Sequence, residues 1–247
     1  RAVNYGLVKA DNMKPAILLL SFGTPRQPSD LLPYLSSIRR GKIPTERELK
    51  ILTARYDAIG QWDNKLLQTM GEEQKKTLAS LLKIDSMYLA YLHMPNSMEQ
   101  AIESIATAGY TSIVCIVTSP FYSMVGTGAY ERKLHSILRA YPDISCEIIK
   151  SWWNKPQFFE YWRSQLMAAN PLQADTACIF SAHSVPTSTV GSYEDEVMSA
   201  STQIAKMVGL NHWYQAWQSA APYGEWLGPT IESVIEQALI DLSLIHI

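Results

Sequence analysis

The chain has 247 residues, of which 47% are apolar and 18% are charged, and its formal net charge is −2. This length and composition are sufficient for one large or two small globular domains. The pI near 6.2 indicates no excess of basic residues of the kind that binds nucleic acid. No apolar run has the length of a membrane span and no signal segment opens the chain, so we predict a cytoplasmic protein.

Both ends of the chain are left out of the fold prediction. Met13 stands directly before the first strand-like run, so residues 1–12 are interpreted as upstream read-through or a loose tail. Residues 242–247 have the sequence that a common sequencing-transposon adapter gives when translated in frame, and we treat them as foreign. We expect the native protein to continue past about Asp241.

Apolar runs of strand length alternate with helix-length patterns between these ends. Strands are predicted at 16–20, 87–92, 112–118, 145–149, 176–180 and 213–217. Helices are predicted after two capping boxes, Thr45-x-x-Glu48 and Ser97-x-x-Gln100, and at 68–83, 126–140, 156–167, 193–208 and from about 229. This alternation is typical of a doubly wound parallel sheet.

Two stretches of the chain share one pattern. Ile17 to Pro25 and Cys178 to Pro186 each consist of an apolar strand, a small residue, a polar turn and a proline. Each stands at the head of a βαβα run, so we predict two similar Rossmann-like α/β domains, at 13–151 and 152–241. A cleft between two such domains, lined by the carboxyl ends of strands, is a natural ligand pocket.

Several enzyme classes are excluded by motifs that the sequence lacks. It contains no Gly-x-x-x-x-Gly-Lys-Ser/Thr phosphate loop, no His-Glu-x-x-His and no Gly-x-Ser-x-Gly. Gly126-x-Gly128 is followed by Glu131 where a dinucleotide fingerprint needs a third glycine. Cys115, Cys146 and Cys178 are far apart and each lies in or beside an apolar run, which predicts reduced, buried thiols.

His183 is the strongest candidate for a catalytic group. It follows the predicted strand 176–180, and Pro186 prevents that strand from continuing through a sheet interior. The imidazole is therefore expected just past the carboxyl end of a strand, where it could act as a base or a metal ligand. A histidine that only hydrogen-bonds a turn remains an alternative. His93 ends the second predicted strand and is expected at the same rim.

Aromatic and arginine residues concentrate near the strand ends. Arg39, Arg40 and Arg55 follow the first strand, where guanidinium groups can bind carboxylates in a bidentate manner. The aromatic residues near strand ends are Tyr34, Tyr56, Tyr122, Tyr130, Trp217, Tyr223 and Trp226. Together they suit a large planar ligand that bears carboxylates, while core packing and solvated surface remain the alternatives.

Six short motifs run in a fixed order from about Met13 to Asp241. They read Leu19-Leu20-Ser21-Phe22-Gly23-Thr24-Pro25, Ile38-Arg39-Arg40-Gly41, Arg55-Tyr56-Asp57-Ala58-Ile59-Gly60, Ser181-Ala182-His183-Ser184-Val185-Pro186, Trp217-Gln218-Ser219 and Trp226-Leu227-Gly228-Pro229. Any one of them is weak evidence, but the set in this order resembles the ferrochelatases. The second and third motifs are more similar to the coproporphyrin branch of Gram-positive bacteria than to the protoporphyrin branch.

The resemblance implies a lyase that inserts Fe²⁺ into coproporphyrin III, a late step of haem biosynthesis. By the matching motif, His183 binds the metal or takes the pyrrole protons. Residues that the resemblance places along the porphyrin are Phe22, Arg39, Arg40, Arg55, Tyr56, Tyr130 and Trp226. His93 and Ser184 are expected to support the site from nearby. The expected partners are the porphyrin and iron, with transient contacts to other haem-pathway enzymes, and we expect a monomer with no cofactor beyond the substrate iron.

Three departures from the family pattern limit these expectations. Phe22 stands where the coproporphyrin branch often has a tyrosine, and it cannot ligate iron. Residues 61–65 replace a glycine-rich segment of the family. The family also continues beyond this C-terminus, with a glutamate that pairs with the histidine. We therefore expect the second domain to be incomplete and the chain to be inactive and poorly stable as it stands, because its second sheet would expose an unpaired edge.

Other functions remain open at this point. Protoporphyrin IX is the alternative substrate within the family. A cobalt or nickel chelatase of the same fold would act on a sirohydrochlorin-type ring, whose additional carboxylates call for more basic residues than the predicted cleft offers. A porphyrin-binding protein without catalytic activity is the third possibility, and Phe22 favours it if the C-terminus is native.

Overall fold

The computed structural model describes residues 14–60, 62, 66–169, 176–221 and 223–245. Within these ranges the strands are β1 (Ala16–Ser21), β2 (Met87–Tyr91), β3 (Ser112–Val117), β4 (Ser145–Ile149), β5 (Cys178–His183) and β6 (Trp213–Gln218). The helices are α1 (Leu31–Ile38), α2 (Glu46–Ala58), α3 (Leu66–Leu82), α4 (Ser97–Thr107), α5 (Thr127–Leu138), α6 (Pro156–Ala168), α7 (Tyr193–Val208) and α8 (Ile231–Ile245). The predicted α/β class is confirmed.

The described residues form two compact units. The N-terminal unit contains the residues up to Thr118 together with Lys133–Ile148, and the C-terminal unit contains Ser119–Arg132 and the residues from Ile149 onward. From the sequence we predicted a single domain boundary at 151–152, which lies close to the division after Ile148. That prediction assigned residues 119–132 to the first domain. In the structure, these residues group with the C-terminal unit.

The N-terminal unit is organised around strand β1. Its sheet has the order β2-β1-β3-β4, and β1 is parallel to both of its neighbours. Leu18 and Leu20 of β1 are completely buried, as expected for a central strand that is apolar along its whole length. Helices α3 and α4 pack against β2. The parallel arrangement brings the carboxyl ends of β1 and β2 to one edge of the sheet.

The two predicted capping boxes have different outcomes. At α2 the Thr45 side chain accepts from the Glu48 N–H and the Glu48 carboxylate accepts from the Thr45 N–H, so this box is confirmed. At α4 the prediction is wrong, because Asn96 is the N-cap and Ser97 is already helical. The Ser97 hydroxyl instead accepts from the Tyr91 N–H at 2.9 Å and ties the end of β2 to the start of α4.

The C-terminal unit contains the parallel pair β5-β6, in which Phe180 lies opposite Gln215 and His183 lies opposite Gln218. Helices α7 and α8 contact β6, and α6 packs on α7. Strand β5 extends further than the predicted 176–180, so His183 is the last residue of the strand and does not follow its end. Among the described residues, no helix combines the length and apolar character needed to cross a bilayer.

Candidate functional site

The carboxyl ends of β1 and β2 bring Phe22 and His93 side by side. The backbone pairing continues past both strands, since the Leu92 N–H donates to Ser21 O at 2.9 Å and the His93 N–H donates to Phe22 O at 3.1 Å. As a result, the Phe22 and His93 rings lie 4.4 Å apart between centroids, in an edge-on arrangement. The sequence expected His93 at the rim of the sheet, and its position agrees with that expectation.

Two residues of α1 complete the surroundings of the His93 imidazole. The Tyr34 ring is buried and stands edge-on to both Phe22 and His93, at centroid distances of 6.5 and 6.3 Å. The Ser37 Oγ lies 3.0 Å from His93 Nδ1, within hydrogen-bonding distance. The orientation of this imidazole is therefore set by side chains that come from a different element of the chain.

Burial of the His93 imidazole lowers its pKa to about 4, and the nearby positive charge of Lys133 acts in the same direction. Lys133 is held in place by Glu99, with a nitrogen–oxygen distance of 3.4 Å. His93 is therefore neutral at physiological pH and retains a nitrogen lone pair for a proton or a metal ion.

Gly23 allows the chain to turn directly after Phe22. Its φ is +92°, in the region that side chains other than hydrogen rarely adopt. A Cβ atom at this position would lie 3.0 Å from both Tyr91 Cβ and Met94 Cγ. The close packing of this turn against the end of β2 thus requires glycine and fixes the direction of Phe22.

A pocket of about 570 Å³ opens at the same edge of the sheet in the N-terminal unit. Its lining includes the β1 turn together with residues of α2 and α3, among them Phe22, Gly23, Tyr34, Tyr56, Ile59, Leu67, Met70 and Tyr91. Phe22 and Tyr56, two of the predicted porphyrin-binding residues, therefore share one pocket. The Tyr56 ring packs on Trp62 with centroids 5.4 Å apart. Apart from Trp62, the replaced segment 61–65 lies outside the described residues.

None of the three predicted arginines is among the residues described as lining this pocket. Arg39, at the end of α1, forms a bidentate ion pair with Glu48 of α2. The hydrogen bonds from Arg39, then those from Thr45, lower the Glu48 pKa to about 2, so this carboxylate stays ionised. Arg40 and Arg55 are exposed. The Arg39 guanidinium is therefore already engaged by a carboxylate of the chain itself.

His183 occupies the corresponding strand end in the C-terminal unit. Its ring is exposed, and its Nδ1 lies 2.8 Å from the Ser184 carbonyl oxygen. Because a carbonyl oxygen can only accept, Nδ1 carries the proton in this hydrogen bond and Nε2 of the neutral ring has the lone pair. The backbone of the adjacent residue thus selects the tautomer that suits proton acceptance or metal binding at Nε2.

Ser184 supports His183 through its backbone. Its side chain is buried, and the hydroxyl donates to Leu227 O at 2.8 Å while its N–H donates to Gln218 O. The Tyr193 hydroxyl donates to the His183 carbonyl at 3.0 Å. These bonds fix the strand end on which the imidazole is mounted, with Ser184, Tyr193 and Leu227 forming part of a buried layer in this unit.

The remaining predicted site residues also lie in the C-terminal unit. Tyr130 is buried, and this burial raises its pKa well above the usual value for tyrosine, so the phenol stays protonated. Trp226 is half-buried, and its indole N–H donates to Tyr223 O at 2.9 Å. An isolated backbone bridge joins Trp226 to Pro186 and holds it near the turn that follows His183.

Comparison with known proteins gives the family of this chain. The sequence model of the family described as Ferrochelatase matches residues 14–241. The chain belongs to the ferrochelatase family. This confirms the resemblance that the six motifs indicated, and it makes the chain a chelatase-type enzyme.

Curated relatives of this ferrochelatase-family chain include bacterial enzymes of similar sequence. It is 29% identical to the coproporphyrin III ferrochelatase of Staphylococcus aureus strain Mu50, across 90% of this chain and 76% of that protein. It is also 29% identical to the coproporphyrin III ferrochelatase of Staphylococcus epidermidis strain RP62A, across 88% of this chain and 75% of that protein.

Solved structures with a similar fold confirm the chelatase architecture. The SirB structure from Bacillus subtilis with Fe³⁺ gives a TM-score of 0.53 at 12% identity and covers 91% of this chain and 71% of that one. The sirohydrochlorin chelatase SirB from Bacillus subtilis subspecies spizizenii, in complex with cobalt, gives a TM-score of 0.51 at 9% identity, with coverages of 94% and 83%. At these identities the likeness establishes the fold alone.

Sequence reasoning missed four residues that hold the two candidate histidines or Arg39 in place. Ser37 and Lys133 contact or influence His93, Tyr193 anchors the His183 carbonyl, and Glu48 binds Arg39. The sequence identifies Glu48 as part of a capping box, but a capping box indicates the start of a helix and does not identify a partner for an arginine. No local pattern in the sequence distinguishes the other three residues.

Proposed function

We propose that the reaction of this ferrochelatase-family protein is the insertion of Fe²⁺ into coproporphyrin III in haem biosynthesis, which makes the protein a lyase. The observation that carries the proposal is the His183 imidazole at the end of β5, with Nδ1–H held by the Ser184 carbonyl and Nε2 left with its lone pair. The names of the staphylococcal relatives support coproporphyrin III as the substrate.

The reaction needs a group that accepts protons beside the porphyrin. A free porphyrin carries two pyrrole N–H protons, and both leave as Fe²⁺ binds the four ring nitrogens. The His183 Nε2 is the proposed acceptor for these protons, or the ligand that delivers the ion. A positioned base of this kind contributes roughly 10²- to 10⁴-fold to a rate.

Residues of the N-terminal unit provide the proposed contacts to the ring and its carboxylates. Phe22 and Tyr56 supply apolar and aromatic surface in one pocket, which is suitable for a planar macrocycle. Arg40 and Arg55 are exposed and can bind propionate groups. His93 stays neutral at physiological pH and is proposed to support the site, whereas Phe22 cannot ligate iron.

The chain spans 76% of the Staphylococcus aureus relative. The test therefore includes a form extended after Asp241 with the corresponding segment of that relative, and we expect this extended form to insert iron.

The test is an anaerobic assay of Fe²⁺ insertion, followed by the change in porphyrin absorbance, with coproporphyrin III and protoporphyrin IX. It compares the chain as it stands, the extended form, and the His183→Ala variant of the extended form. We expect insertion into coproporphyrin III by the extended form and a loss of at least about 100-fold in the variant.

His135→Ala is the matched control, because His135 is an exposed histidine on α5, and it is expected to retain full activity. Porphyrin binding, measured by fluorescence quenching, is recorded for every protein. Binding without insertion by the extended form would contradict the proposed activity. Insertion into protoporphyrin IX alone would contradict the proposed substrate, and insertion by the unextended chain would contradict the expectation from the sequence that it is inactive.

A further inference from the structure

Two cysteines that are far apart in the sequence meet in the N-terminal sheet. Cys115 lies in β3 and Cys146 in the neighbouring strand β4, and their Sγ atoms are 3.5 Å apart. Both thiols are free. The sequence predicted reduced, buried thiols. All three cysteines are free, but only Cys115 is fully buried, and adjacent strands bring Cys115 and Cys146 within hydrogen-bonding distance of each other.

The two thiols differ in their surroundings. Cys115 is completely buried, whereas Cys146 is half-buried. The hydrogen bond with Cys146, together with burial, raises the pKa of Cys115, while the same hydrogen bond lowers the pKa of Cys146. Cys146 is therefore the more exposed of the two thiols, and the directions of the two pKa shifts favour ionisation of Cys146 over that of Cys115.

We propose that Cys115 and Cys146 form an oxidation site that reacts with hydroperoxides and closes to a disulfide between β3 and β4. The Cys146 thiolate attacks the O–O bond of the peroxide and forms a sulfenic acid, and hydroxide leaves. The Cys115 sulfur then attacks the Cys146 sulfur, an S–S bond forms, and the sulfenic oxygen leaves as water with the Cys115 proton. Overall, two thiols and one hydrogen peroxide give one disulfide and two waters, with two electrons passing to the peroxide.

The geometry requires a small movement for this step. A disulfide has a sulfur–sulfur distance of about 2.05 Å, so the two Sγ atoms must approach by roughly 1.5 Å. Strand β4 is the last strand of the described four-stranded sheet and has a described strand neighbour on one side only. It can therefore move towards β3 more easily than an internal strand, and side-chain rotation supplies part of the approach.

The third cysteine provides an internal comparison. Cys178 lies at the start of β5 in the C-terminal unit, and burial raises the pKa of its thiol. It has neither the lowered pKa of Cys146 nor a described thiol beside it. We expect it to remain reduced under conditions that oxidise the pair. This proposal does not rest on iron insertion and can be tested on the chain as it stands.

The test treats the folded 247-residue chain with hydrogen peroxide, then denatures and alkylates it and measures its mass. The chain has three cysteines, and we expect one alkylated thiol after oxidation instead of three. Trypsin separates the cysteines into residues 84–132, 140–150 and 164–206. The first two peptides are expected to be linked, and a reductant should release them.

Variants distinguish this reaction from indiscriminate oxidation. Cys178→Ser should form the same link, and Cys146→Ser should slow the loss of the Cys115 thiol at least about tenfold, since Cys115 is shielded from solvent. The proposal is wrong if three thiols remain alkylated, if Cys178 enters the link, or if Cys146 gains oxygen atoms while Cys115 stays alkylated. Peptide mapping of the unsubstituted chain decides the outcome even if a variant fails to fold.

Discussion

The two histidines at strand ends are held in opposite ways. His93 in the N-terminal unit is half-buried and is surrounded by the side chains of Phe22, Tyr34 and Ser37. His183 in the C-terminal unit is exposed, and its ring is oriented by the carbonyl oxygen of the very next residue. One imidazole therefore depends on long-range side-chain packing, and the other depends on local backbone.

This difference in surroundings gives the two imidazoles different chemical properties. Burial lowers the proton affinity of His93, so its imidazole stays neutral and keeps its lone pair at physiological pH. His183 is exposed and instead has a defined tautomer, in which Nδ1–H is bound to the Ser184 carbonyl and Nε2 has the lone pair. We therefore propose proton transfer and metal contact for His183, and a supporting role for His93.

The largest expected effect comes from disturbing the turn that positions Phe22 beside His93. Gly23→Ala places a Cβ atom 3.0 Å from Tyr91 Cβ at a φ of +92°. The backbone strain and the overpacking together are expected to lower the free energy of unfolding by about 2–4 kcal/mol. Urea unfolding followed by circular dichroism measures this change.

Gly41→Ala is the matched control for backbone strain. Gly41 has a φ of +91°, but a Cβ atom there would meet nothing within 4 Å. It should lower the free energy of unfolding by only about 1 kcal/mol. Equal losses in the two variants would show that the contact with β2 is unimportant for the position of Phe22.

The depressed pKa of His93 predicts a pH-dependent stability. The unfolded state gains a proton on this histidine as the pH falls below about 6.5, whereas the folded state gains it only near pH 4. Unfolding is therefore favoured progressively between these values, and the loss levels off below about pH 4. Because His93 is only partly buried, we expect its contribution to be about 1–2 kcal/mol after solvent screening is considered.

Urea unfolding of the wild type and of His93→Gln at pH 7 and pH 4.5 isolates this contribution. Other groups titrate equally in both proteins, so the variant should lose less stability on acidification than the wild type. Identical pH dependence in the two proteins would mean that the His93 imidazole is accessible to protons in the folded state.

The backbone-held histidine is easier to recognise in the sequence than the side-chain-held one. His183, Ser184 and Pro186 are adjacent, so strand, turn and candidate base could be recognised in one motif, although β5 extends to His183 itself. Ser37 lies 56 positions from His93 and its hydrogen bond depends on how α1 packs on the sheet. Periodicity predicts elements, but it does not specify which side chains of two elements meet.

The same limit applies to the cysteine pair and to Ser97. Cys115 and Cys146 are neighbours only because β3 and β4 are adjacent in the sheet order. The Ser97-x-x-Gln100 pattern fits a capping box, but the hydroxyl forms a tertiary hydrogen bond with the end of β2 instead. In both cases a contact that forms only in the folded sheet determines the role of the residue.

The smallest expected effect concerns the other side-chain-held group of the N-terminal unit, the Arg39 guanidinium. Glu48→Gln keeps a side-chain oxygen that can cap α2 but removes the negative charge that neutralises Arg39. If Arg39 contacts a carboxylate of the porphyrin, the variant should bind coproporphyrin III about twofold to fivefold more tightly, because the competing internal carboxylate is absent.

Fluorescence titration at low and high salt measures the change in affinity, which should shrink as salt screens the charges. Glu46→Gln, which removes a carboxylate from the same helical turn without a described bond to Arg39, is the control. Equal affinities in the wild type and both variants would place Arg39 outside the porphyrin contacts and leave Arg40 and Arg55 as the candidate carboxylate ligands of this unit.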